Sequence, residues 1–380
     1  MEIKEVLERG VEEVLPSKEG LEKLMSERKI TLYQGFDPTA KSLHLGHLAG
    51  IIKLKQFQRL GHKVIFLIGD FTGRIGDPTG KISARKQLSK KEIEENLKGW
   101  LKTISQIIDF KGENKAEIKY NSEWNEKITF SDLIEITSNF TVQQMIERDM
   151  FQERIKRENP IYLHEFLYPV AQAIDSVKLG VDLEIGGSDQ LFNMMAGRQL
   201  VKALTGREKY VLTIKLLEDK EGKKVGKTEG NAIFLDEPPE KIFGGVMAFP
   251  DQMLMTAFEL FTELELAKLE REIKNDPLNQ KKRLAFEVVK IIYGEEKARQ
   301  AQEKFEKDFQ LKNPTYDLKI KLNENLLETI FPLLGSKSEA KRLISSGSVD
   351  VNGKTVKNYL AKIKKGDKIK IGKKIFATVN

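Results

Sequence analysis

The chain has 380 residues, 40% hydrophobic and 32% charged, with a net charge of +7 and no cysteine. That length exceeds one compact core and suits two or three domains, while the missing cysteines exclude disulfides, thiolate metal sites and cysteine catalysis. No run of about 18 apolar residues occurs and the opening MEIKEVLERG is charged and amphipathic, so neither a membrane span nor an export signal is expected and the cytoplasm is the default location.

Residues 30–36, ITLYQGF, read as a buried strand, 46–60, GHLAGIIKLKQFQRL, as a helix, and 63–69, KVIFLIG, as a second strand. This βαβ unit implies an α/β fold with a doubly wound, parallel, Rossmann-like sheet, in which ligands gather at the carboxyl ends of the strands. SLHLGH, residues 42–47, occupies that place and holds two of the four histidines. His44 and His47, at i and i+3, share one face of a first helical turn beside free backbone N–H groups and the positive end of the dipole. That setting favours charge developing on a phosphate, and Gly46 leaves room for a purine or ribose. A polar, helical stretch over about 85–165 follows.

In YPVAQAIDSVKLG, residues 168–180, Tyr168, Gln172 and Asp175 fall at i, i+4 and i+7 on one face of an otherwise apolar helix. Such a stripe is costly to bury unless core partners or a polar ligand satisfy it. Next come a strand at 181–186, VDLEIG, and GGSDQ at 186–190, which turns Asp189 and Gln190 toward the same crevice. KKVGKT, residues 223–228, is a charged glycine-rich loop whose Lys224, Lys227 and Thr228 suit a triphosphate. Gly222 and Gly226 enclose three residues where a P-loop needs four. GDPTGK at 76–81 fails likewise, with Ile82 where Ser or Thr should follow Lys81, so a Walker-type NTPase is disfavoured.

Residues 240–310 are Lys/Glu-rich with helical periodicity, and LKNPTYD at 311–317 reads as a linker. In SKSEAKRLISSG, Ser336 and Glu339 form a capping-box pattern and Gly347 a helix stop. Short strands then alternate with turns at Asn352-Gly353 and Lys365-Gly366-Asp367. Residues 336–380 hold twelve Lys/Arg against three acids, a net +9 that leaves −2 for residues 1–335. A compact basic unit of this kind suits folded RNA, where shape and phosphate contacts dominate.

In combination these segments resemble the bacterial-type tyrosyl-tRNA synthetases, class I enzymes. YQGFDPTAKSLHLGH is similar to the family's HIGH region, GDPTGK to the adjacent loop, and YPVAQAIDS to the tyrosine-binding helix. IGGSDQ resembles the ribose and carboxylate loop, KVGKT a variant KMSKS loop, and the basic tail the small RNA-binding fold named after a ribosomal small-subunit protein. The resemblance covers nearly the whole chain in the family's order.

It implies a tyrosine–tRNA ligase that joins L-tyrosine to ATP as tyrosyl-adenylate and passes it to the 3′ end of tRNA(Tyr). MgATP is the substrate complex, with no tightly bound cofactor and no metal ligands in the protein. Tyr33 and Asp175 would hold the substrate hydroxyl, and Asp77, Tyr168 and Gln172, with Gln190 nearby, its ammonium group. Gly35, Asp37, Gly46, Gly187, Asp189, Gln190 and Lys227 would line the adenylate. Thr39, His44, His47, Lys224, Lys227 and Thr228 would grip the phosphates, and Lys337, Lys341, Arg342, Lys354 and Lys357 would meet RNA. The implied division is 1–225 for a Rossmann-like catalytic domain with a helical insertion at about 115–165, and 226–310 for the KMSKS loop end and a helical anticodon-binding domain. A linker at 311–320 precedes a small α+β RNA-binding domain at 321–380. A homodimer joined through the insertion is implied as well. Gln34 replaces a smaller residue and Leu191 an aromatic one. The rivals are another HxGH nucleotidyltransferase, a tryptophanyl synthetase and a non-catalytic RNA-binding protein.

Overall fold

The structure, a computed structural model, describes residues 2–79, 88–218, 232–310, 316, 318–372 and 375–380. The chain folds as two compact units, 1–299 and 300–380. Among the described residues no helix is long and apolar enough to cross a membrane.

The first unit is built on a six-stranded sheet of β1 (Val11–Leu15), β2 (Thr31–Phe36), β3 (Lys63–Ile68), β4 (Glu117–Tyr120), β5 (Leu183–Gly187) and β6 (Tyr210–Ile214), in the order β1-β6-β5-β2-β3-β4. All pairings are parallel except β1 with β6. Residues 64–68 of β3 are all buried, as expected of a strand covered on both faces. From β2 the chain winds through β3 to β4 on one side, whereas β5 and β6 extend the other. The switch point therefore lies between β2 and β5. β2 pairs with β3 along six residues but with β5 only at Leu32↔Leu183 and Tyr33↔Glu184. Beyond that register Gln34–Phe36 and Ile185–Gly187 part, and the crevice opens at their carboxyl ends.

Two strands differ from the sequence reading. β4 lies within the 85–165 stretch that reads as helical. It is a four-residue edge strand, half-buried along its length, so its pattern carries no apolar run. β1 is an antiparallel edge strand whose exposed Glu12 and Glu13 interrupt its periodicity.

The helix Leu45–Arg59, which crosses from β2 to β3, buries eleven of its fifteen residues. One of them is Lys53, whose ammonium donates to the carbonyls of Val6 and Arg9 and closes the short helix Ile3–Glu8. The helices Leu167–Leu179 and Leu191–Thr205 pack together through Val170, Ala173, Ile174, Ala196 and Leu200. Further helices of the unit include Pro239–Met247, Leu254–Phe261 and Pro277–Tyr293.

The second unit has the strand order β7-β11-β10-β8-β9, formed by β7 (Leu318–Ile320), β8 (Val349–Val351), β9 (Lys354–Thr355), β10 (Lys368–Ile371) and β11 (Ile375–Val379). Two helices, Leu326–Leu334 and Lys337–Ser345, share its core of Leu326, Ile330, Ala340, Ile344, Val349 and Ile369. Ser336 caps the second of them by accepting from the Glu339 N–H, but only half of the expected box forms: the Glu339 carboxylate turns to Arg342 at 3.7 Å. Asn352 and Gly353 take φ of +51° and +79° in the β8–β9 turn, as a two-residue hairpin of this twist requires.

Candidate active site

His44 and His47 stand at the carboxyl end of β2, with the His47 ring 6.0 Å from that of Phe36, the last residue of the strand. His44 caps the helix Leu45–Arg59: its Nδ1 accepts from the Gly46 N–H at 3.1 Å, while its own N–H donates to Nδ1 of His47 at 3.1 Å. The free N–H groups expected here are therefore occupied. Gly46 binds the imidazole, Leu45 N–H donates to Ile233 O, and His47 N–H to His44 O. Both Nδ1 atoms act as acceptors, which leaves the proton of each neutral ring on Nε2. The ring centroids are 3.9 Å apart. Burial, and then the neighbouring His44, hold the His47 pKa well below the usual imidazole value, so this ring acts as a neutral N–H donor at physiological pH.

Asp175 projects from the helix Leu167–Leu179 into the interior, 2% exposed. It accepts from Asn121 Nδ2 (3.0 Å), Trp124 Nε1 (2.8 Å) and Asn125 Nδ2 (3.0 Å). Burial pushes its pKa up to about 8 against the pull of these three donors. Asn121, Trp124 and Asn125 were missed in the sequence, although NSEWN places them at i, i+3 and i+4, one face of a turn. Tyr33, fully buried, meets Ser176 Oγ at 2.9 Å. Burial, then Glu184 and Asp175, raise its pKa well above the ordinary phenol value.

Asp77 Oδ2 accepts from Gln190 Nε2 at 2.7 Å, and Oδ1 accepts from the N–H and hydroxyl of Thr79. Asn193 donates to Gln190 Oε1 and so fixes which end of that amide faces Asp77. Arg148 donates to the Thr79 hydroxyl at 2.8 Å, and its field reaches both Asp77 and Tyr168. Tyr168 donates to Asp37 Oδ2 at 2.8 Å, and Thr72 to Asp37 Oδ1 at 2.7 Å. Gln172 donates to Glu184, a buried acid absent from the sequence-based set whose signal was an unpaired charge in an apolar strand. A Cβ on Gly187 would fall 2.7 Å from Asp189 Oδ1, which explains the glycine before that acid. Thr39 N–H donates to Asp37 O at 2.7 Å. Gly35 and Gly46 are both exposed. The amide of Gln34 lies directly over Gly50, whose Cβ would meet Gln34 Oε1 at 2.2 Å.

Lys224, Lys227 and Thr228 lie outside the described residues. The chain on either side of them is anchored at this crevice: Leu216 packs against Gly187, while Leu235 N–H donates to Leu43 O and Phe234 bridges to His44. In the second unit the five cationic residues singled out in the sequence are all exposed. Lys337 pairs with Glu328 at 2.7 Å and lies over the Phe331 ring, while Lys341 lies over Tyr359.

The arrangement is a crevice with two imidazole rings at its mouth, a polar carboxylate cluster in its wall and the buried carboxyl group of Asp175 at its floor. Residues 25–310 match the family model of class I tRNA synthetases (W and Y), and residues 333–369 match the S4 domain. The chain is 36% identical to a tyrosine–tRNA ligase of Thermotoga maritima, spanning 99% of this chain and 96% of that one. It is 39% identical to that of Aquifex aeolicus, spanning 98% and 97%. Among solved structures it resembles a C-terminally truncated mitochondrial tyrosyl-tRNA synthetase of Aspergillus nidulans, with a TM-score of 0.67 and 23% identity over 81% of this chain and 94% of that one. It also resembles the Archaeoglobus fulgidus enzyme complexed with L-tyrosine, with a TM-score of 0.62 and 22% identity over 79% and 98%. At those identities the structural likeness carries the fold alone.

Proposed function

The chain belongs to the bacterial-type tyrosyl-tRNA synthetases of class I, tyrosine–tRNA ligases that use ATP, and on that premise we propose how its residues divide the work. Tyr33 and Asp175 read the phenolic hydroxyl of the substrate, and Asp77, Tyr168, Gln172 and Gln190 receive its ammonium group. Gly35, Asp37, Gly46, Gly187 and Asp189 line the adenylate, with Thr39, His44, His47, Lys224, Lys227 and Thr228 on the phosphates. The observation that supports this reading is Asp175: a buried carboxyl group held by three neutral donors, with no cation bonded to it among the described residues, is a polar group kept for a ligand. Left without a hydroxyl partner, it also rejects phenylalanine.

The tyrosine carboxylate attacks the α-phosphorus of ATP, an oxygen–phosphorus bond forms in line, and pyrophosphate leaves. The terminal ribose hydroxyl of tRNA(Tyr) then attacks the adenylate carbonyl, and AMP leaves. The first step needs positioning and charge stabilisation more than a protein nucleophile. Nε2–H donors of His44 and His47 meet charge that grows on the phosphate only in the transition state, so they act on rate more than on binding. Mg2+ arrives on the triphosphate as part of the substrate. The five basic residues of the second unit meet the RNA backbone.

Exposed Phe130, Ile134, Val142 and Leu163 support a homodimer joined through this region, since side chains of that size and exposure mark an interaction face. The cytoplasm, where translation takes place, is the proposed location. ATP–pyrophosphate exchange with each amino acid in turn tests the assignment: tyrosine alone supports it. Lys227→Ala lowers the adenylate burst by orders of magnitude with tyrosine binding kept; an unchanged burst refutes the phosphate role.

A further inference from the structure

Behind the two residues assigned to the substrate hydroxyl lies an ion pair for which the reaction has no direct use. Lys209 and Glu184 are buried, with side chains 0% and 2% exposed, and bonded to each other. Stability is a weak reason for such a pair, because desolvation of two charges offsets most of their attraction. The room for it is deliberate: a Cβ on Gly197 would fall 2.5 Å from the Lys209 ammonium.

Proton counting shows what the pair does. Lys209 directs its donors to Glu184 Oε2, to Ser176 Oγ at 2.7 Å and to the Met194 carbonyl at 3.2 Å. Ser176 has one proton and two lone pairs. Its proton goes to Glu184 Oε2 at 3.1 Å, and one lone pair takes Lys209. The hydroxyl of Tyr33 stands 2.9 Å from Ser176 Oγ, where only a donor fits the remaining lone pair. With the Ser176 proton on Glu184, the Tyr33 proton turns inward to Ser176 and its oxygen keeps lone pairs for any other partner. Glu184 Oε1 accepts from Gln172, so the pair also orients a residue assigned to the ammonium end.

We propose that Lys209, Glu184 and Ser176 are positioning residues that make Tyr33 a hydrogen-bond acceptor, so that Tyr33 and Asp175 together select a hydrogen-bond donor at the para position of the substrate ring. The inference rests on the assignment of Tyr33 and Asp175 given above. With Asp175 ionised, an amino group serves both acceptors with its two N–H donors, the hydroxyl of tyrosine serves one of them with its single proton, and fluorine serves neither.

The test is pyrophosphate exchange at about pH 9, where Asp175 is ionised, with tyrosine, 4-aminophenylalanine and 4-fluorophenylalanine. The wild-type chain is expected to use the amino analogue at least about ten-fold better in kcat/KM than the fluoro analogue. In Ser176→Ala, and in Glu184→Gln combined with Lys209→Met, which leaves no buried charge unpaired, that ratio falls toward one. A loss of folding lowers the rate with every substrate alike and leaves the ratio unmoved, and a thermal melt reports it separately. Equal use of both analogues by the wild type, or an unchanged ratio in both folded variants, overturns the inference. Failure of the wild type to exchange with tyrosine would instead overturn the underlying assignment of Tyr33 and Asp175, and the inference with it.

Discussion

Asp175 is an electrostatic cost to the fold that depends on pH. Its carboxyl is ionised in the unfolded chain above about pH 4, but in the folded protein its pKa lies at about 8. Between those values the folded state binds one more proton than the unfolded state, so unfolding free energy falls as pH rises through the window. The penalty reaches the order of several kcal/mol above pH 8. Asp175→Asn removes the titration. Denaturant melts are expected to show a shallower decline between pH 5 and about 8 in the variant, while pyrophosphate exchange loses its preference for tyrosine over phenylalanine. Parallel pH profiles in the two proteins would contradict this account. The strain is the kind found at functional sites, where stability yields to recognition.

At the scale of the element, the helix Leu45–Arg59 starts on a histidine where serine, threonine or aspartate is the usual cap. His44 nonetheless performs the cap, and His47 returns the bond, so the pair of rings that starts the helix is the same pair proposed to act on the phosphate. The two tasks separate by substitution. His44→Ser keeps a side chain that accepts from the first turn, and its melting temperature should correspond to a change within about 1 kcal/mol. Adenylate formation should fall by about 100-fold or more, the usual effect of removing a donor aimed at transition-state charge. Stopped-flow measurement of the burst reads the second effect and calorimetry the first. This duality was half-visible in SLHLGH: the i, i+3 spacing suggested an anion site, but the cap could not be seen because imidazole rarely serves as one.

Across the whole molecule, charge and compactness divide in the same way. The second unit has its own core and holds the cationic excess, so deleting residues after about 318 is expected to spare tyrosyl-adenylate synthesis and abolish charging of tRNA(Tyr). Charging that survives the deletion would remove that unit from the role of RNA anchor. In the first unit Phe130 is 79% exposed and Leu163 80% exposed. Phe130→Asp should shift the assembly toward monomer in analytical ultracentrifugation, since a charge at an apolar contact costs its full desolvation; an unchanged sedimentation coefficient would exclude that face from the interface.

Local pattern alone determined the βαβ start, the histidine turn, the polar stripe on the helix at 167–179 and the basic tail, because each depends on residues close together in the chain. The tertiary structure decided the edge strands β1 and β4, whose few half-buried residues carry no periodic signal. It also decided which partners the stripe meets. Tyr168 reaches Asp37 across 131 positions and Gln190 reaches Asp77 across 113, and Lys209 lies 33 from Ser176. Spacing rules reach about two helical turns, whereas burying a polar group requires a specific atom at hydrogen-bond distance, and only the folded chain brings that atom there.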